Sequence, residues 1–325
     1  MGQRRPDRIH GILVVDKPAG ISSQDLVTEV RVQLGVRSAG HTGTLDPLAT
    51  GVLPICLGQA TKIVQWLIAD DKAYTCTARL GVTSPTLDVD GALTHQADVT
   101  AIDPGQLERA LAPLRGAIAQ LPPMFSAIQQ GGQRLHELAR AGVEVTRVAR
   151  AVRVDRLEVV AVEPPHVRLA IACSKGTYVR ALVRDLGAAL GTGAVVAALR
   201  RTASGRFTLA DAVDPRALDR PTVAARLIPI RVALGLPEVA VTEADRADVR
   251  NGRPDRLARF TAGFGEGERF QLVAPGGDTL AVCEARAGQT FIHRGLSYPP
   301  PRGLDARRVV PQSPAPNQGR ESGPD

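Results

Sequence analysis

The segment Gly40–Gly51 reads Gly-His-Thr-Gly-Thr-Leu-Asp-Pro-Leu-Ala-Thr-Gly and places one carboxylate, Asp46, among small residues with a histidine five positions before it. Pro47 has no N–H and disfavours the α region for the residue before it, so we expect Asp46 to be extended at the mouth of a helix over Leu48–Leu57. An Asp-Pro pair is also a common helix N-cap. The segment therefore predicts either a capping carboxylate or a nucleophile on a turn.

Length and composition predict a globular protein with two units. The chain has 325 residues, 44% of them hydrophobic and 22% charged, and single hydrophobic cores stop growing at roughly 250 to 300 residues. The formal net charge of +7 favours a polyanionic partner, because Lys and Arg release counterions when they neutralise phosphates. Charge by itself does not identify a nucleic-acid-binding protein.

The sequence contains no motif that is typical of a metal site, a nucleotide cofactor or a membrane span. The four cysteines are widely spaced and form no C-x-x-C pair, so we expect reduced thiols, no zinc site and no disulfide framework. We find neither a P-loop nor a dinucleotide fingerprint, and we expect no cofactor. The polar N-terminus and the lack of a long apolar run predict a cytoplasmic protein without a membrane span.

The spacing of apolar residues predicts a mixture of strands and helices. The predicted strands are Gly11–Asp16, Tyr74–Leu80, Val152–Val162, His166–Cys173, Phe270–Ala274 and Thr279–Ala285. The predicted helices begin at Ser22 or Ser23, run from Asp103 to about Ile118, and span Gly176–Leu190. Because no βαβ unit repeats, the order of these elements favours the α+β class.

Over Gly40–Lys62 the sequence closely resembles the active-site segment of the TruB family, the tRNA pseudouridine(55) synthases. Other segments match the same family in the same order along the chain: Leu13–Pro18 with Gly20 and Ser22-Ser23, Lys72–Tyr74, Asp88–Gly91, Pro123–Ala127, Cys173–Arg180 and Leu199–Arg201. The resemblance is strong over residues 10–230 and weaker over 231–298. A match of this length is far more specific than a short motif.

The resemblance implies a pseudouridine-synthase fold, with a mixed, largely antiparallel central sheet flanked by helices, and a small β-rich PUA-like domain. It implies a catalytic domain at 1–230, an RNA-clamping insertion at about 122–146 and a PUA-like RNA-binding domain at 231–298. Gln129 and His136 depart from the lysine and tyrosine that are common in the family's insertion. Residues 299–325 are rich in Pro, Gly, Ser and Arg, which predicts disorder.

The implied function is isomerisation of uridine 55 in the T-arm of tRNA to pseudouridine, by a monomer that needs no guide RNA. The reaction breaks the C1′–N1 bond, turns the ring and joins C1′ to C5, so it requires neither redox chemistry nor a metal. A carboxylate is required as nucleophile at the sugar, as nucleophile at the ring, or as base. The sequence does not choose among these three roles.

The family's site residues carry over position by position. The catalytic candidates are Asp46, Tyr74 and Arg180, and the substrate-binding candidates are His41, Tyr178, Leu199, Lys17, Arg134 and Arg140. An ionised Asp46 in a dry pocket needs a positive partner, and a guanidinium such as Arg180 can bind both carboxylate oxygens. From spacing alone, the arginine would be a surface residue and the tyrosines core or rim residues.

Three other functions remain open at the level of sequence. The chain could be an RNA-binding or tRNA-folding protein without chemistry, although the intact catalytic candidates disfavour this. It could be a guide-dependent relative, although the insertion at 122–146 favours a stand-alone enzyme. A carboxylate glycosidase would usually need two carboxylates, and no second one is apparent near Asp46 in the sequence.

Overall fold

The computed structural model describes residues 9–126, 128–143 and 145–298. The strands are β1 (Gly11–Lys17), β2 (Ala39–His41), β3 (Thr50–Leu57), β4 (Lys72–Leu80), β5 (Val82–Thr83), β6 (Thr94–His95), β7 (Gly116–Gln120), β8 (Gln129–Gln130), β9 (Gln133–Arg134), β10 (Arg150–Glu163), β11 (His166–Cys173), β12 (Ala194–Ser204), β13 (Phe207–Thr208), β14 (Glu238–Ala240), β15 (Arg269–Val273), β16 (Thr279–Arg286) and β17 (Gln289–Gly295). The helices are α1 (Ser23–Leu34), α2 (Val64–Leu67), α3 (Pro104–Leu111), α4 (Leu135–Arg140), α5 (Val179–Leu190), α6 (Arg220–Arg226), α7 (Ile230–Leu234), α8 (Asp245–Asn251) and α9 (Pro254–Leu257).

A central sheet carries the structure, in the strand order β1-β3-β12-β4-β11-β10-β7, with β2 paired to β3 and β13 to β12. Within the described residues its pairings are antiparallel apart from a short parallel contact between β3 and β12. The helices α1, α3 and α5 pack on it through buried apolar residues. The prediction of an α+β protein with a mixed, largely antiparallel sheet is therefore confirmed.

Helix α1 forms as its sequence predicts. Ser22 is the N-cap, its side chain accepts a hydrogen bond from the Asp25 N–H, and the Asp25 carboxylate reaches back to complete a capping box. Leu26, Val30 and Leu34 lie on one buried face against β1 and β3. This packing fixes the first turn of α1 next to the segment that contains Asp46.

The predicted helix over Leu48–Leu57 is wrong, because this stretch forms strand β3. It is a short apolar run bounded by Gly51 and Gly58, and periodicity alone cannot distinguish such a run from a buried helix. Gly51 has φ of +102°, and a Cβ there would stand 2.1 Å from the Arg201 carbonyl oxygen. The glycine therefore permits the close approach of β3 to β12.

The second predicted helix also needs a correction. Asp103 caps it as expected by accepting hydrogen bonds from the N–H groups of Gly105 and Gln106, but α3 ends at Leu111. Pro113 lies in the short 3₁₀ turn that follows, and Ile118 belongs to strand β7. Proline cannot continue the helical hydrogen-bond ladder, so the apolar spacing beyond it was misleading.

A second sheet in the order β14-β15-β16-β17 follows the central one, and contains the two strands predicted near Phe270 and Thr279. It packs on the first unit, since Val282 and Leu296 share an apolar cluster with residues of β1, β3 and α2. The backbone N–H of Ser297 also donates to Gln59 Oε1 over 3.1 Å. Its assignment as a PUA-like domain remains a prediction.

The four cysteines are free and buried. In the part of the chain that the structure describes, no helix has the length and apolar character needed to cross a membrane. The segment 299–325, predicted to be disordered, lies outside the described residues.

Candidate active site

Asp46 lies on the turn between β2 and β3, as the Asp-Pro pair predicts. The turn is anchored by Ser23 at the start of α1, whose Oγ donates to the Leu45 carbonyl over 3.0 Å and accepts from the Leu45 N–H over 2.8 Å. The Ala49 N–H donates to the Asp46 carbonyl over 3.0 Å. The carboxylate is thus carried on a segment that has little freedom to move.

Lys17 lies beneath this turn and does not contact the cavity. Its side chain is completely buried, and Nζ donates to the carbonyls of Pro18, Pro47 and Ala49 over 2.9, 3.2 and 2.8 Å. All three ammonium hydrogens are therefore used to hold the loop, and the role of Lys17 in substrate binding stays a prediction. Burial lowers the pKa of Lys17 to about 8, and the nearby Asp46 opposes that change.

Arg180, in the first turn of α5, forms a two-point ion pair with Asp46. Its Nη2 donates to Asp46 Oδ1 over 2.9 Å, and its Nε lies 2.8 Å from Oδ2. The Nε–H is poorly directed toward that oxygen, so the Nη2 hydrogen bond is the better-formed contact. The Arg180 side chain is only 6% exposed, and the predicted partnership of these two residues is present.

Arg180 is also held by groups outside the pair. Nη1 donates to the Thr86 carbonyl over 2.7 Å, and Nη2 donates to the Phe125 carbonyl over 2.9 Å. A second carboxylate, Asp88, lies 3.7 Å from Nη1 and accepts from the Thr86 hydroxyl over 2.5 Å. Asp88 is buried and does not line the cavity, so its contacts with Arg180 and Thr86 orient the guanidinium from behind.

The electrostatics of Asp46 result from two opposing effects. Its side chain is 34% exposed toward the cavity, but protein atoms surround it closely enough that desolvation raises its pKa above the ordinary value. The charge of Arg180 and its hydrogen bond lower that pKa again without cancelling the effect of burial. The carboxyl is therefore a stronger base than an exposed aspartate.

Tyr74 and Arg201 are direct neighbours across strands β4 and β12. The Arg201 guanidinium lies beside the Tyr74 hydroxyl and favours the ionised phenol, but burial has the larger effect and raises the pKa of Tyr74, which therefore stays protonated at neutral pH. Arg201 is a site residue that the sequence analysis missed. Arg201 belongs to the matched segment Leu199–Arg201. In a strand, residues two apart lie on the same face, so Leu199 as a predicted cavity residue could have pointed to Arg201 as well.

These side chains surround a cavity of about 250 Å³, slightly smaller than the roughly 300–1,000 Å³ of drug-sized ligand sites. Asp46, Tyr74 and Arg180 line it together, as do Leu199 and Tyr178 among the substrate-binding candidates. The loop of residues 174–177 and the side chains of Lys72 and Arg201 complete the wall.

His41 lies beside the cavity but does not line it. Its Nδ1 accepts from the Gly43 N–H over 3.2 Å, and burial lowers its pKa, so the imidazole is neutral near pH 7. The Tyr178 backbone is clamped by Gln120, which accepts from its N–H over 2.8 Å and donates to its carbonyl over 3.1 Å. These contacts orient the cavity wall through backbone groups.

Within the insertion predicted at about 122–146, the chain forms β8, β9 and α4. This segment, the arm, is attached to α5, and its RNA-clamping role stays a prediction. Arg184 of α5 donates to the Leu121 carbonyl at the arm's root, close to the contact between Arg180 and Phe125. Arg140 is exposed on α4 and does not line the cavity, while the Arg134 side chain is outside the described residues. Across residues 9–126, 128–143 and 145–298 no group of three or more His, Cys, Asp or Glu is placed to hold a metal.

Comparison with known proteins identifies the family. The N-terminal domain model of the TruB family pseudouridylate synthases matches residues 31–179, and the C-terminal domain model of tRNA pseudouridylate synthase B matches residues 180–225. The tRNA pseudouridine synthase B of Pseudomonas aeruginosa (strain UCBPP-PA14) is 53% identical over 212 residues, which are 65% of this chain and 69% of that protein. The chain belongs to the TruB family of pseudouridylate synthases. The protein of the same name from Caulobacter sp. (strain K31) is 42% identical and covers 88% of this chain and 96% of its own length.

As a TruB family member, the chain is an isomerase that forms pseudouridine in tRNA. Solved structures agree with the fold. A structure described as a Cbf5-Nop10-Gar1 complex has a TM-score of 0.67 at 24% identity and covers 89% of this chain and 84% of its own. An H/ACA RNP bound to a substrate RNA containing 2′-deoxyuridine gives a TM-score of 0.63 at 22% identity, with 89% and 86% coverage. At these identities the likeness concerns the fold alone.

Proposed function

We propose that this TruB family enzyme isomerises uridine 55 in the T-arm loop of tRNA, acting alone and without a guide RNA. The observation that carries the proposal is the pairing of Asp46 with Arg180 at the wall of a cavity that also contains Tyr74. A buried ion pair costs desolvation, so its presence at a cavity wall indicates a chemical rather than a stabilising role.

Each residue has a stated part in this proposal. Asp46 is the essential carboxylate, and Arg180 keeps it oriented and favours its charged form. Tyr74 packs against the flipped uracil, since base flipping must bring the ring into such a pocket before the glycosidic bond can be reached. Leu199 and Tyr178 form walls, and His41 stands at the rim, close to the flipped nucleotide.

The arm and the second sheet would bind the rest of the tRNA. Arg134 and Arg140 would contact the T-arm backbone, and the residues 231–298 would act as a PUA-like RNA-binding domain. The attachment of the arm to α5 through Arg180 and Arg184 supports a stand-alone enzyme, because the substrate is then gripped by the same chain that performs the chemistry.

The test uses purified protein and unmodified tRNA, with no other RNA or protein present. Pseudouridine is mapped by chemical labelling and reverse transcription. We expect one labelled position, at nucleotide 55, with wild type and none with Asp46→Asn. Labelling at another position would contradict the T-arm assignment, a need for added guide RNA would contradict guide independence, and tight binding without conversion by wild type would favour the RNA-binding alternative.

A further inference from the structure

Arg201 is a buried cation at the cavity wall, and none of the described carboxylates is paired with it. It is 1% exposed, its Nε donates to the Val52 carbonyl over 2.7 Å, and its Nη2 donates to the Gly43 carbonyl over 3.1 Å. No ion pair between described side chains includes it. Carbonyl dipoles satisfy some of its N–H groups but do not balance its charge, which makes such burial costly.

A second cation, Lys72, stands at the same end of the cavity. It is 9% exposed, and Nζ donates to the carbonyls of Ile68, over 2.8 Å, and Asp70. The wall between the two cations is open because Gly43 carries no side chain. A Cβ on Gly43 would stand 3.7 Å from Arg201 Nη1 and 4.0 Å from Lys72 Cε, so the space beside this glycine is faced by both residues.

The position of these cations indicates which part of a nucleotide they meet. The phosphates on either side of a flipped nucleotide continue into the RNA chain and must stay at the cavity mouth. Only the base can reach a guanidinium that is almost wholly buried. We propose that Arg201, assisted by Lys72, donates a hydrogen bond to a carbonyl oxygen of the flipped uracil and stabilises negative charge on the ring during catalysis.

The chemistry of the reaction supplies that charge whichever role Asp46 has. When the C1′–N1 bond breaks, its electron pair goes to the ring, and the charge spreads from N1 onto the carbonyl oxygens. The ring then uses an electron pair at C5 to bond C1′. Any bond that Asp46 has formed to the sugar or the ring breaks, with its electron pair returning to the carboxylate, and a proton that Asp46 has taken from the sugar is returned. The proton on C5 passes to a base, and the electron pair of the C5–H bond restores the double bond of the ring. Donors that face an oxygen where charge develops lower the barrier because they are already oriented. This inference rests on the proposed uridine isomerisation.

A chemical double-mutant cycle tests the contact. The T-arm stem-loop is prepared with uridine, 2-thiouridine or 4-thiouridine at the target position, since sulfur accepts hydrogen bonds more weakly than oxygen. Single-turnover conversion is measured for wild type and Arg201→Met. In wild type, we expect one of the two thio substitutions to lower the rate by about tenfold or more, which corresponds to the free energy of a charge-assisted hydrogen bond. In Arg201→Met, the same thio substitution should lower the rate by less than about twofold.

Arg201→Lys and Lys72→Met provide second variants in case Arg201→Met fails to fold, and each is expected to show a reduced thio effect at the same oxygen. Arg115→Met is the matched control, because Arg115 Nε also donates to a strand carbonyl, that of Leu157 over 2.8 Å, but does not line the cavity. We expect it to keep the wild-type rate and the full thio effect.

Full thio effects in every Arg201 and Lys72 variant would overturn the proposal and leave Arg201 a structural residue. A loss of RNA affinity as large as the loss of rate, again with full thio effects, would overturn it in favour of a backbone contact. Failure of the proposed function is distinguishable, because wild type would then convert no T-arm uridine, and the same cycle would be run on the uridine that it does isomerise.

Discussion

Two arginines, Arg180 and Arg201, line the same cavity but differ in whether a carboxylate balances their charge. Arg180 is paired with Asp46 and lies 3.7 Å from Asp88, so its charge is balanced by the protein. Arg201 is just as buried, but in the described part of the chain its hydrogen-bond acceptors are the carbonyls of Val52 and Gly43, and the nearby charged side chain is a second cation, Lys72. The Arg180 end is electrostatically complete, and the Arg201 end lacks a negative charge.

This difference separates two kinds of support for a reaction. A balanced guanidinium holds another catalytic group in place, so its loss should change the behaviour of that group, including its pKa. An unbalanced guanidinium can stabilise negative charge on the substrate, so its loss should change how strongly the reaction rate depends on substitutions in the uracil ring. The variants below are ordered from the largest expected effect on the rate to the smallest.

Asp46→Asn removes the carboxylate charge that pairs with Arg180 and that Arg201 lacks. We expect conversion to be abolished, while tRNA affinity stays within about threefold of wild type because phosphate contacts dominate affinity and asparagine keeps the shape. The measurement is single-turnover conversion alongside equilibrium binding, after mass spectrometry has excluded deamidation back to aspartate. Appreciable turnover by the authentic Asn variant would remove Asp46 from the chemistry.

Substitutions of Arg180 test whether a charge alone is sufficient at the balanced end. Arg180→Met leaves Asp46 without its partner, a penalty of about 3 kcal/mol or more for a buried pair, so we expect the rate to fall at least about a hundredfold. Arg180→Lys keeps the charge but not the planar fork that holds two carboxylate oxygens, and we expect it to fail as well, though less severely.

The pH profile of the same variants gives an independent readout. Activity that needs ionised Asp46 falls as the pH drops through its pKa, which burial already raises above 3.8. Arg180 lowers this pKa, so removing it should move the acidic limb of Arg180→Met to higher pH. Near-wild-type rates for Arg180→Lys together with an unmoved limb for Arg180→Met would show that Asp46 relies on another partner.

Shortening the RNA-clamping arm should affect binding before chemistry. Replacing residues 128–143 by a Gly-Ser bridge keeps Phe125, whose carbonyl holds Arg180. We expect KM to rise and the salt slope of binding to fall by about 1 for every phosphate that the arm neutralises in the wild-type complex. A deeper deletion that also removes residues 124–126 should lower kcat too. If KM and the salt slope were unchanged in a folded first variant, the arm would not be a clamp.

The sequence predicted the balanced end of the cavity better than the unbalanced one. Asp46 and Arg180 lie in long matched segments, and the structure pairs them at the cavity wall. Tyr74, also in a matched segment, lines the same cavity but lies beside Arg201. The support that Lys17 gives to the loop depends on tertiary packing, because its three carbonyl acceptors come together only once β1 and the turn after Asp46 are packed against each other.

Arg201 was missed for a related reason. Its importance depends on which residue lies opposite it on another strand, and the pairing of β12 with β4 joins positions more than a hundred residues apart in sequence. The helix predicted over Leu48–Leu57 failed because a buried strand and a buried helix share the same short apolar run. Local sequence patterns therefore predicted individual helices, strands and motifs. The pairing of distant strands determined which charged side chains lie next to each other.

The smallest effect is expected from Tyr178→Phe, which tests whether the cavity's two tyrosines differ as the two arginines do. The Tyr178 hydroxyl lies close to Ser126, outside the Asp46–Arg180 pair, and the Tyr178 backbone is held by Gln120. Phenylalanine preserves this wall and loses only the hydroxyl, whose interaction with a neutral group would contribute about 0.5–1.5 kcal/mol, so we expect a rate within about tenfold of wild type.

Tyr74→Phe is the matched comparison, because it removes the hydroxyl that lies beside the Arg201 guanidinium. We expect it to lower the rate more than Tyr178→Phe does while keeping the stacking surface for the base. Single-turnover conversion of the same stem-loop decides between them. A larger loss from Tyr178→Phe would mean that its hydroxyl moves a proton in the reaction, and the division of the cavity into a wall tyrosine and an arginine-linked tyrosine would then be wrong.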